Sequence, residues 1–310
     1  MKRGRKEGIA ERVFAASTLI AALAMPFVIA AIFYTLWQAA YPAMEKFSVG
    51  HFLISTDWDP VRDSFGALPN ISGTLVITFL SLVFSLPLSL GIAIFVTEIA
   101  PNPLKGIVAT AIDLLAAIPS VVYGMWGLFT LSPLMGSYIE PALKSIFAPL
   151  PVIGLLFEGT PRGLDILTAS VILSIMLIPY AASITRESLL MAPSMVKEAA
   201  YSLGATKWEV IKGVALPHAK VGILSGIFLS LGRALGETMA VAFVLGNNHR
   251  IPTSLFSAAS TITVTLANEF TEADKEIYLS SLFLLALILF VISFFSLIIA
   301  KFLLLKERER

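Results

Sequence analysis

Two ionisable side chains stand where a chain seldom keeps them. Arg233 and Glu237 lie in "LSLGRALGETMAV" (229–241), inside an apolar run from about Ala219 to Gly246. If that run crosses a bilayer, its central arginine costs about 2.5–3.5 kcal/mol on insertion scales. A spacing of four puts both groups on one face of a helix. Two uses fit: an internal ion pair that neutralises itself, or a pair facing a water-accessible path between helices. A guanidinium is a permanently charged planar fork of donors matched to oxyanions. The neighbouring carboxylate repels anions unless the anion carries its own proton. Phosphate near neutral pH is such a P–OH donor and sulfate is not, so a glutamate there discriminates between them. Small residues flank the pair in two ridges, Gly222, Gly226, Ser230 and Ala234, then Gly232, Gly236 and Ala240. Small residues four apart let helices approach closely in lipid.

A second stretch carries no reactive group but explicit helix punctuation: "APSMVKEAAYSLGATKWEVIKGVALPHAK" (192–220). Ser194 is placed to cap a helix through Glu198, Ala199 and Ala200 that stops at Gly204, a fitting residue just past a helix end. Thr206 then caps a second helix, with Glu209 three residues on completing a capping box, and Leu216-Pro217 closes it. Two short helices joined at a glycine also describe a DNA-reading helix-turn-helix. This pair has no strong basic surface and sits between two apolar runs, so no nucleic acid is expected. The remaining uses are a loop that covers helix ends and a helix that inserts into a groove on another protein.

Several chemistries are missing from the sequence. It holds no G-x-x-x-x-G-K-[ST] phosphate loop and no H-E-x-x-H. Its histidines are His51, His218 and His249, all in or beside expected loops, and it contains no cysteine. No metal, cofactor, triad or disulfide framework is implied, and the chain is not expected to be an enzyme.

The elements that position these residues follow from composition. Of 310 residues, 57% are hydrophobic and 14% charged, where soluble domains carry about a quarter charged, and mean hydropathy is +0.85. Continuous rather than alternating apolar runs exclude a lipid-facing barrel. The fold class is therefore all-α, a polytopic membrane protein with six transmembrane helices near 13–38, 71–97, 107–131, 166–186, 219–246 and 278–302. The first apolar run is longer than the core of a signal peptide. Prolines 133, 141, 149 and 151 suggest an irregular, structured outer loop over 132–165, beside outer loops at 39–70 and 247–277.

Charge sets the orientation. Fifteen of the 22 Lys and Arg fall on the side of the termini and of the 186–220 loop and six on the other, Arg233 being the last. The excess places both termini in the cytoplasm. Arg186, in "SITRESLL", lies at the inner end of the fourth span, as a guide for departing anions or an ordinary interfacial anchor. The chain reads as one membrane domain over 1–310, with a core near 71–302 and a cytoplasmic loop near 187–218.

"EAAYSLGATKWEVIKGVALP" (198–217) resembles the EAA loop of ABC-importer permeases of the type I fold. The resemblance implies that Glu198, Ala199, Ala200 and Gly204 dock on a cytoplasmic ATP-binding subunit dimer. "GRALGETMAV" (232–241), "IPSVVYGMWG" (118–127) and "WDPVRDSFGALPNISGTL" (58–75) are similar to the permeases of phosphate-specific importers. That likeness runs from about Trp58 to Gly246. It implies a substrate pathway through Arg233, Glu237 and Thr238, with inorganic phosphate as cargo. It further implies a PstA-like second permease and an extracytoplasmic phosphate-binding protein docked on the outer loops. The setting is the lipid of a bacterial or archaeal cytoplasmic membrane. Importers of sulfate and molybdate share the Arg–Gly–Glu pattern, so another tetrahedral oxyanion stays open. An ATPase-independent anion transporter also remains, against the EAA loop.

Overall fold

A computed structural model describes residues 9–308. The basic residues 2, 3, 5, 6 and 310, counted above for sidedness, lie outside the described residues. Among those described, every regular element is helical, with only two isolated bridges, Asp59 to Ser64 and Gly246 to Ala259.

Helix α1 (Ile9–Phe47) leads to a short α2 (Val49–Ile54), then α3 (Leu68–Ile94), which continues as a π turn to Ile99. Next come α4 (Asn102–Ala116), α5 (Ser120–Phe147) and α6 (Ile166–Leu190). After α7 (Ser194–Ser202), α8 runs unbroken over Lys207–Leu235, followed by α9 (Met239–Ala242), α10 (Ile262–Glu269) and α11 (Glu276–Arg308). Five of these helices are long and apolar enough to cross a membrane, and the α4/α5 pair makes a sixth span if counted as one.

The third span differs from the single helix expected over 107–131: α4 and α5 meet at 92°. Pro119 is extended at φ −60°, ψ 143°, and a residue preceding proline is disfavoured in the helical region, so the helix ends before it. The 132–165 segment differs too, because α5 stays helical to Phe147 despite Pro133 and Pro141. A π turn precedes each of them. All four π turns (Phe95–Ile99, Gly127–Leu131, Met135–Ile139, Ile211–Ala215) end two residues before a proline. A proline ring collides with the carbonyl four residues back and offers it no N–H. Widening the preceding turn removes the collision while keeping most backbone groups paired, as lipid demands. The same device carries α8 straight through Pro217, where the sequence suggested a stop.

The α6 helix is the hub. Seventy-two per cent of its most apolar window is buried within the chain, against 33% or less for the other single-helix spans. Its Ile172, Leu173, Met176 and Leu177 pack with Ile77 of α3, Tyr123 and Leu131 of α5, and Val241 and Val244. Hydroxyls cross the α3–α6 seam: Ser81 donates to the Ser170 carbonyl and Ser89 to that of Ile178, each at 3.1 Å. At the margin, α1 lies against α11, with Phe33 and Phe290 rings 6.0 Å apart.

The two small ridges of 222–240 separate in the structure. Gly222 lies against Ser188, and a Cβ on Gly226 would meet Ile184 Cγ2 at 3.2 Å, so the first ridge is the α6–α8 contact. A Cβ on Gly232 or Gly236 would find ordinary room, so these two glycines form no packing seam within this chain. Ala240, on α9, is by contrast fully buried in the core against Gly124.

Candidate functional site: a broken span and an exposed loop

The four-residue spacing of Arg233 and Glu237 does not place them on one helical face. Helix α8 ends at Leu235, Gly236 caps it, and Glu237 and Thr238 are non-helical before α9 resumes. Arg233 is thus in the last turn of a half-helix and Glu237 in the break. Among the described residues no carboxylate comes within ion-pair distance of Arg233. Its guanidinium instead stands 5.5 Å from the ring centre of Tyr180 on α6, a cation–π contact. The self-neutralising pair is not formed.

Glu237 has other partners. Its Oε1 accepts from the Ala240 N–H at 3.2 Å, capping α9, and its backbone carbonyl accepts from the Thr263 hydroxyl at 2.7 Å. Thr238 sits between them with its hydroxyl 3.4 Å from the Gly236 carbonyl. A broken span in lipid needs its freed polar groups satisfied by neighbours. Here α10 does this, inside what the sequence suggested was the outer loop 247–277. Its own start is tied down, since Thr261 accepts from the Val264 N–H and Thr74 of α3 accepts from the Ile262 N–H.

Behind the break lies a polar network that sequence reasoning missed. Buried Asn70 accepts from the Thr265 hydroxyl at 3.1 Å and lies 3.1 Å from His249 Nδ1. Glu269 takes His249 Nε2 at 2.8 Å, Trp58 Nε1 at 2.8 Å and the Tyr278 hydroxyl at 2.7 Å. Burial pushes the Glu269 carboxyl up, but the bonds from His249, Tyr278 and Trp58 outweigh it and hold it below the usual glutamate range. These groups come from five separate stretches with no shared spacing, so no motif announces them.

Arg186 is not brought to Arg233. It sits 18% exposed on α6, paired through Nη2 with Glu187 at 2.7 Å, and lines a different cavity with Thr97 and Lys105.

The loop between α6 and α8 keeps most of its expected form. Ser194 makes no cap bond, because extended Pro193 occupies the cap position. The far end is as read: Gly204 has φ +88°, its N–H donates to the Tyr201 carbonyl, and the Ala205 N–H to that of Ala200. This is a Schellman closure, which needs a left-handed residue. Thr206 and Glu209 form the capping box in both directions. No residue of α7 is buried, Glu198 and Ala199 are exposed, and Leu203 and Trp208 beside it are 89% and 61% exposed. Lys197, bonded to Glu98 at 2.6 Å, anchors the helix to the end of α3.

A hub helix, a broken span with an unpaired arginine and a projecting loop helix define a permease built to work with other subunits. A family model described as binding-protein-dependent transport system inner membrane component matches residues 86–308. The chain is 44% identical to the phosphate transport system permease protein PstC of Mesorhizobium japonicum, over 99% of this chain and 93% of that one. It is 37% identical to the probable PstC of Methanocaldococcus jannaschii, over 87% and 86%. Among solved structures, the bacterial alginate ABC transporter in complex with its alginate-bound periplasmic protein matches with TM-score 0.59, covering 93% of this chain and 94% of that one at 17% identity. The inward-facing MetNI methionine ABC transporter matches with TM-score 0.58 over 77% and 94% at 16% identity. The chain belongs to the binding-protein-dependent inner membrane permeases, and within them to the PstC permeases.

Proposed function

We propose that this chain is the membrane subunit that passes inorganic phosphate through an ATP-driven importer. The carrying observation is Arg233, an intramembrane guanidinium at the end of a half-helix that no carboxylate among the described residues neutralises. Its desolvation is offset when an oxyanion arrives, and its fork of donors holds that anion by charge-assisted bonds. Glu237 has one oxygen engaged by the Ala240 N–H; the other is available to a P–OH, which phosphate has and sulfate lacks. Thr238 completes the break. Arg186 on α6, which lines a separate cavity, serves departing anions rather than the break at Arg233.

The chain performs no hydrolysis; the energy comes from an ATP-binding subunit dimer gripping α7 through Glu198, Ala199, Ala200 and the turn at Gly204. A PstA-like second permease completes the path, and an extracytoplasmic phosphate-binding protein delivers substrate to the outer loops. Both termini and α7 face the cytoplasm of a bacterial or archaeal cell, and the whole chain is one membrane domain with its core near 71–302. The test is phosphate uptake by the assembled importer carrying Arg233→Gln. Uptake is expected to fall at least tenfold while the assembly still purifies intact; wild-type uptake would overturn the assignment.

A further inference from the structure

A second cavity, about 260 Å³, opens where α3, α4 and α6 meet near α7. Val96, Thr97, Gly106, Ala109 and Leu190 wall it, and its two charged lining residues are both cations, Lys105 and Arg186. The nearby acids are already committed: Glu98 to Lys197 at 2.6 Å, and Glu187, 61% exposed, to Arg186 Nη2. Lys105 makes only a neutral contact, from Nζ to the Thr97 carbonyl at 2.9 Å. Arg186 Nε is buried without any hydrogen-bond partner. A desolvated guanidinium donor left unmatched is rare in folded proteins and calls for an acceptor. The Thr97 hydroxyl, which donates to the Ala93 carbonyl at 2.9 Å, does not take up Arg186 Nε.

The contrast with the larger cavity on the opposite side is informative. That one, about 510 Å³, holds Arg62 and Arg250 but also Asp57 and Asp59, so it has no preference for anions. Of these two cavities, the one beside α7 presents cations without a lining carboxylate.

We infer that Lys105 and Arg186 form a second oxyanion site, separate from Arg233, that binds a phosphate group at the coupling-loop end of the permease. The ligand chemistry is a tetrahedral phosphate, either free inorganic phosphate or the headgroup of an anionic phospholipid. The reading rests on the proposed function only for the compartment it faces, the cytoplasm. Thr97, which accepts from Lys105, adjoins Glu98, which holds the α7 anchor Lys197. An anion here therefore bears on the junction between α3 and the coupling loop, where accumulated internal phosphate would be sensed.

The test is protection of Lys105 from an amine-acylating reagent, read by peptide mass spectrometry on the assembled importer in nanodiscs. With zwitterionic lipid, millimolar inorganic phosphate is expected to slow acylation several-fold against chloride at matched ionic strength. Arg186→Gln should abolish that protection, Arg186→Lys should keep part of it, and Arg233→Gln should leave it whole. If protection appears only with phosphatidylglycerol in the disc, and Arg186→Gln removes it, the site holds a lipid headgroup. Protection by neither source, or protection that survives Arg186→Gln but not Arg233→Gln, overturns the site. Because the first comparison uses the unaltered chain, the result does not depend on any variant folding.

Discussion

Arg233 ends a half-helix and Glu237 lies in the break that follows, so on the proposed function their substitutions should not behave alike. Arg233→Lys keeps the charge but loses the bidentate fork, and phosphate uptake should drop at least tenfold. Glu237→Gln keeps an acceptor for the Ala240 N–H and so preserves the cap of α9. Its uptake should persist, while the phosphate-to-sulfate ratio falls when the binding protein is bypassed. An unchanged ratio there would remove the proton-reading role of Glu237 and leave Arg233 standing. Because no ion pair joins the two, changing both to leucine should lose uptake as fully as Arg233→Leu alone.

Helix ends carry the next set of consequences. Gly204 has open space where a Cβ would go, yet its φ is +88°, so the cost of a side chain is conformational, about 1–2 kcal/mol for a residue that avoids this region. Gly204→Val should uncouple ATP hydrolysis from uptake, whereas Gly204→Asn, a residue that tolerates the left-handed region, should retain much of the coupling; equal coupling in the two variants would show that the turn is not what the ATPase grips. At the opposite end of α6, Asp165 caps the helix by accepting from the Thr168 N–H at 2.9 Å. It is buried beside Glu140, which takes the Thr168 hydroxyl at 3.2 Å. Burial pushes the Asp165 carboxyl up to about 7; the Thr168 N–H opposes this and the Glu140 charge adds to it. A raised carboxylate contributes stability that is complete below its ordinary value and is lost as pH rises through about 7. Thermal stability of the purified chain should therefore decline from about pH 4 to about pH 7 and level off above it, and Asp165→Asn should flatten that slope. Equal slopes would mean that Asp165 is not the group that titrates in this range.

Orientation belongs to the molecule as a whole, and a sequence without cysteine makes it easy to read. Single cysteines at exposed Thr56, Ser145 and Asn248 should react with an impermeant thiol reagent from outside the cell. One at Lys207, on the capped start of α8, should react only after permeabilisation. External labelling at 207 would invert the topology and with it the compartment assigned to α7. On the proposed function, the exposed guanidinium of Arg233 and the exposed surface of α7 have the same explanation at this scale: a single chain is half of a path and one side of a joint.

Composition alone determined the solvent, because a chain this poor in charge cannot cover a soluble surface, and it therefore determined the helical class. Local spacing determined the Thr206–Glu209 box and the glycine turn at Gly204, since caps are satisfied within a few residues of backbone. Proline misled at 133, 141 and 217, because a π turn before each ring lets the helix continue there. Pro26, Pro42, Pro87 and Pro179 sit inside helices without one, so proline position alone does not mark a helix end. The Arg233–Glu237 spacing misled for a related reason. Gly236 permits a break, but only Thr263, reaching from 26 residues downstream to the Glu237 carbonyl, makes the break stable in lipid. The network of Trp58, Asn70, His249 and Glu269 was beyond any reading of spacing, since its members meet only when α3, α10 and α11 have closed around them. Tertiary structure decided these points because a buried polar group is paired by whichever partner the fold brings near it.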